Sequence, residues 1–165
     1  AADTTVERAG VLLGQVSAAG DATFVWVDAW IPARRTVASR VSVTFTADTW
    51  ELIAGQHERD YPDRVIVGWY HSHPGFGIFL SGHDRFIHRH FFAEPWHVAL
   101  VVDPLQRTHG CFGRAGNDRV QPLPVVLVPP EPASEGEASE ADSGKGSEGN
   151  REQRQTSGAG CGRPR

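Results

Sequence analysis

Gly68-Trp69-Tyr70-His71-Ser72-His73-Pro74-Gly75-Phe76-Gly77-Ile78-Phe79-Leu80-Ser81-Gly82-His83-Asp84 holds both the change of element and the chemistry of this chain. Val65 to Tyr70 is a continuous apolar run of a length suited to a buried strand. On a strand, positions i and i+2 project from one face, so His71 and His73 can converge on one point. Pro74 and the glycines at 75 and 77 turn the chain, and a new helix is expected from Ser81 to Phe92. That helix brings Asp84 back toward the two imidazoles. Two histidines, one carboxylate and an open fourth position make a donor set suited to catalytic zinc. Each part also has an ordinary reading. Ser81-x-x-Asp84 is a capping box, found at many helix starts without catalysis, and paired histidines on a strand arise by chance. The two readings are compatible, because Ser81 can cap the helix and still serve a site.

Outward from this stretch the chain alternates strands and helices. Gly10 to Val16 and Ala22 to Ile31 are rich in Val, Leu, Phe and Trp and flank the turn-forming Ser17 to Asp21, which predicts a β-hairpin. Val41 to Phe45 alternates apolar and polar residues and predicts a half-buried strand. Thr46 or Asp48 is expected to cap a helix that runs to Asp60 and stops at Tyr61-Pro62-Asp63. Trp96 to Val102, His109 to Arg114 and Val120 to Val128 complete the expected strands. The order β-β-β-α-β-α-β-β-β predicts an α/β fold, a mixed β-sheet flanked by helices. The domain is expected to span residues 1–128. From Pro129 the composition turns to Pro, Glu, Ser and Gly, so 129–165 is expected to be a disordered tail, or a linker to a fusion or partner absent from this chain.

Composition narrows the function classes. The net charge of −4 and the single lysine, Lys145, give no electrostatic grip on nucleic acid or anionic lipid. No apolar run approaches the roughly 18 residues of a membrane span. Cys111 and Cys161 fit neither a metal spacing nor a disulfide framework, so a cytoplasmic, reducing setting is expected. The sequence has no Met, which fits either removal of an initiator or a piece of a longer protein.

The long motif resembles the signature of the JAMM/MPN+ (JAB domain) metalloproteases. Residues 68–77 and Phe79-Leu80-Ser81 are similar to that family's signature loop almost throughout. Glu94-Pro95 and Val101-Val102-Asp103-Pro104 are similar to its next strand, and Glu7-Arg8-Ala9-Gly10-Val11-Leu12-Leu13-Gly14 to its Glu-x-x-Gly-x-x-x-Gly opening. The resemblance covers roughly residues 5 to 128 and implies the cytidine-deaminase-like JAB/MPN fold.

It also implies roles. His71, His73 and Asp84 would hold Zn²⁺, Glu7 would hold the zinc-bound water and pass its proton to the leaving amine, and Ser81 would donate to the oxyanion. The substrate implied is a ubiquitin-like or sulfur-carrier protein, cut at an isopeptide or peptide bond after its C-terminal tail. Phe76, Ile78 and Phe79 form an apolar loop beside the metal, equally suited to the core or to a substrate-facing lip. The alternatives are a non-catalytic MPN interaction scaffold and a metal hydrolase of another amide. The short link from Ala93 to Trp96 leaves no room for a second zinc site, as in compact prokaryotic members. His83, His88 and His90 share no single face with Asp84 and are expected at the surface or half-buried, while Trp69 and Trp96 are expected to pack inside and Cys111 to be buried.

Overall fold

The computed structural model describes residues 6–34, 37–38, 43–114 and 119–129. Internal packing divides the chain into a unit ending at Leu127 and a second from Val128, of which only 128 and 129 are described. The expected tail from 130, Lys145 and Cys161 therefore lie outside the described residues, as do residues 41 and 42 of the third expected strand.

Strands β1 (Ala9–Ala19) and β2 (Ala22–Pro32) form the expected hairpin, longer at its tip than the sequence suggests. The short strands β3 (Val37–Ala38) and β4 (Val43–Thr44) pair only with each other. Helix α1 (Ala47–Asp60) is capped by the Thr46 side chain, which accepts from the Thr49 N–H. β5 (Val65–Ser72) leads through a loop to α2 (Gly82–Phe91), and β6 (Val98–Asp103), β7 (Thr108–Arg114) and β8 (Val120–Leu123) follow. β8 ends well before Val128, because Pro122 and Pro124 deny the ladder two N–H donors. Trp96 falls outside β6 and is 36% exposed, so the inward position expected for it is not realised.

The main sheet is mixed, in the order β2-β1-β5-β6-β7-β8, with β5 and β6 parallel and the other neighbours antiparallel. β5 and β6 approach so closely that a Cβ at Gly68 would collide with the Val98 carbonyl, which only glycine avoids. Val11, Leu13, Ile31, Trp69, Ala99 and Val101 from the sheet form one core with Phe45, Ile53, Ile87 and Phe92. A second cluster of Leu12, Val67 and Val98, with Tyr70, Leu100, Cys111 and Leu123 against it, is built from strands alone. Cys111 is accordingly half-buried rather than enclosed, and burial pushes its thiol up to about 11. Among the described residues no helix is long and apolar enough to cross a membrane.

Candidate metal centre

The site lies where the parallel strand β5 ends, a position that open α/β sheets commonly use for ligands. His71 belongs to the last turn of the pleat and His73 follows it, its N–H donating to the Val102 carbonyl at 2.8 Å. Their Nε2 atoms stand 3.1 Å apart. Asp84 reaches them from the first turn of α2, its carboxylate oxygens 3.5 Å from His71 Nε2 and 3.7 Å from His73 Nε2. All three are buried, and their donor atoms lie within 4.8 Å of one another. Bonds of about 2.0 Å in a tetrahedron give edges of about 3.3 Å, so these spacings fit a zinc-sized ion.

Ser81 ties this corner together. Its side chain accepts from the Asp84 N–H at 3.1 Å, while its own N–H donates to Asp84 Oδ2 at 2.7 Å. The capping box and the site geometry are one arrangement. Ser81 thus meets Asp84 through both backbone and side chain, and its side-chain hydrogen bond favours the ionised carboxylate. Burial works against ionised Asp84, but the two imidazoles and Ser81 outweigh it and hold the carboxyl well below the usual range. For His71 burial dominates and lowers the pKa, whereas for His73 it is overcome by Asp84, Glu7 and the Gly77 carbonyl, and the pKa rises.

Glu7 arrives from the opposite end of the chain. It is only 3% exposed, and Oε1 sits 3.8 Å from His73 Nε2. Burial pushes its carboxyl up to about 7, with His73 and His83 opposing and Asp84 adding to the rise. Its neighbour Arg8 is held at both backbone groups by Ser72, whose N–H donates to Arg8 O at 2.8 Å and whose Oγ accepts from Arg8 N at 2.9 Å. Sequence reasoning gave Ser72 no task, because nothing in the spacing announces this pairing of β1 with β5.

The loop between His73 and Asp84 is fastened by another residue to which the sequence assigned no role. Asp103, fully buried, accepts from the N–H groups of Gly75, Gly77, Leu105 and Gln106, each at 3.0 Å. Gly75 and Gly77 have φ of 80° and 82°, which suits glycine and aims both N–H groups inward. Gly77 in turn presents its carbonyl to His73 Nδ1 at 3.2 Å, leaving Nε2 to face His71 and Asp84.

Phe76 and Phe79 are 51% and 46% exposed, Ile78 is half-buried, and the Phe79 ring lies 4.7 Å from that of His73. His83 and His90 are exposed as expected, but His88 is fully buried, because its position on α2 faces Trp69 rather than solvent.

The JAB1/Mov34/MPN/PAD-1 ubiquitin protease family matches residues 1–94, over half of the chain. The chain belongs to that family. Its JAB domain is 33% identical over 104 residues to COP9 signalosome complex subunit 5 of Caenorhabditis elegans, covering 61% of this chain and 27% of that protein. It is 36% identical over 99 residues to the NAD(+) hydrolase TcpA of Theionarchaea archaeon (strain DG-70-1), covering 59% and 30%. The chain thus spans less than a third of these relatives. The solution structure of protein DSY2949 from Desulfitobacterium hafniense shares the JAB-domain fold, with a TM-score of 0.51, 20% identity, and coverage of 74% of this chain and 78% of that one.

Proposed function

We propose that the chain is a zinc-dependent hydrolase of the JAMM type, cutting an isopeptide or peptide bond after the C-terminal tail of a ubiquitin-like or sulfur-carrier protein. The observation that carries this reading is Glu7. A carboxylate brought from the far end of the sequence stands buried 3.8 Å from one member of a His-His-Asp group. A merely structural ion needs no such neighbour.

His71, His73 and Asp84 would hold the ion, leaving the side toward Glu7 for water and substrate. Zinc, when bound, supplies a Lewis acid that polarises the scissile carbonyl and acidifies water. Glu7 takes the proton of the attacking water through Oε1 and carries it to the leaving amine. A carboxyl already lifted toward neutrality suits both halves of that transfer. Ser81 donates its hydroxyl hydrogen to the developing oxyanion, a contribution worth about 3 kcal/mol in comparable sites. Phe76, Ile78 and Phe79 form the lip along which an extended, small-residue tail lies, pairing its backbone with a neighbouring strand edge.

The test is elemental analysis of the purified chain together with cleavage of ubiquitin-like fusions. One zinc per chain is expected, lost in His71→Ala and Asp84→Asn, and Glu7→Gln is expected to retain the zinc while turnover falls by about a thousandfold or more. Stoichiometric zinc with no Glu7-dependent cleavage of any fusion would favour an interaction scaffold instead.

A further inference from the structure

The two candidate histidine ligands are oriented by different means. A metal-bound imidazole ordinarily donates its second N–H to an oxygen, which fixes the rotation of the ring. His73 follows this rule through Gly77. His71 does not: its Nδ1 is buried with no hydrogen-bond partner among the described residues. What His71 has instead is a flat wall. The Trp69 ring lies 4.5 Å away, centroid to centroid, with only 12° between the planes.

An indole can hold a ligand ring only if its own rotation is fixed. Phe92 lies parallel to Trp69 at 5.8 Å and 11°, and Phe45 meets it edge-on at 6.2 Å. Those contacts favour one plane for the indole, and a directional bond at Nε1 holds the side-chain torsion that keeps it there. Trp69 Nε1 donates to His88 Nδ1 at 3.3 Å. Indole nitrogen can only donate, so His88 must present an unprotonated Nδ1 and carry its proton on Nε2. His88 is completely buried, where an apolar side chain of similar size would avoid the cost of desolvating an imidazole.

We infer that His88 is a positioning residue for the metal centre: it fixes the rotation of Trp69, whose face then orients His71. The inference rests on the reading of His71 as a ligand. Asp84, on the same helix as His88, meets His71 directly, so one helix supplies a ligand and also braces another from behind.

The experiment compares His88→Leu, which keeps bulk and loses the acceptor, with His88→Asn, whose Oδ1 can take the place of Nδ1. Zinc affinity is measured by competition with a chromophoric chelator, and the coordination symmetry is read from the visible bands of the Co²⁺-substituted protein. His88→Leu is expected to weaken zinc binding by about tenfold or more and to shift the Co²⁺ bands, with His88→Asn restoring both. Trp69→Phe, which keeps an aromatic plane but removes the N–H, is expected to act in the same direction. Combining it with His88→Leu is expected to add little, as for residues acting in series. That variant keeps the question open to test should His88→Leu fail to fold. His71→Ala is measured alongside. Lost zinc there, with wild-type affinity and Co²⁺ bands in both His88→Leu and Trp69→Phe, overturns the positioning role and leaves His71 a ligand. Unchanged affinity in His71→Ala overturns the ligand reading itself.

Discussion

Ser72 lies between the two imidazoles in sequence, but its side chain points to Arg8 and so holds the segment that carries Glu7. Ser72→Ala keeps the Ser72 N–H bond to Arg8 O and deletes the Oγ acceptor. We expect zinc content to stay at the wild-type level while kcat falls about tenfold to a hundredfold, the scale of a slightly misplaced catalytic group; steady-state kinetics on the zinc-loaded protein measures it. Asp103 gives a pH signature. Burial alone would raise its carboxyl, but four backbone N–H donors prevail and hold it below the ordinary value. The folded state therefore favours the ionised form. Its contribution is complete above the ordinary carboxylate range near about pH 4 and is lost as pH falls through the depressed folded value. Asp103→Asn, neutral throughout, is expected to be less stable than wild type near neutrality, with the gap narrowing in acid. Urea unfolding at several pH values reads this out, and a gap that does not change with pH would mean that the charge is irrelevant.

At the scale of elements, the parallel junction of β5 and β6 governs where the site sits. Gly68→Ala would drive a methyl group into the Val98 carbonyl and part the two strands just below His71. We expect a loss of about 1–3 kcal/mol, the usual cost of overpacking, accompanied by weaker zinc retention, measured by denaturant unfolding and dialysis. Local signals made several elements legible in advance. Ser81 announced one helix start through its capping chemistry and Thr46, with Asp48 as the alternative, the other, while the apolar run before His71 announced β5. What sequence could not show depends on partners far along the chain. The burial of His88 follows from a tryptophan on another element. The importance of Asp103 follows from backbone N–H groups, which carry no residue identity at all. Trp96 looked like a core residue by type, but it sits in the turn before β6.

For the molecule as a whole, the two sides of the sheet are unequal. One carries the core shared with α1 and α2, and the other a cluster contributed by strands alone. The candidate metal group stands at the helix-bearing side, linking β5 to α2. Stripping zinc with a chelator should therefore loosen β5 and α2 together, giving one cooperative transition at lower temperature rather than a separate early phase. At zinc concentrations about a hundredfold above the dissociation constant, the expected stabilisation is about 2.7 kcal/mol, read as a rise in Tm on adding zinc back.

His71, His73 and Asp84 all come from one short stretch of chain, while Glu7 comes from far outside it. During synthesis Glu7 leaves the ribosome long before these three, and then waits until β1 finds β5. The three emerge almost together and need close only a small loop, whose entropic cost is modest. Assembly of the three-residue group is thus a local property of the chain, and its meeting with Glu7 a global one.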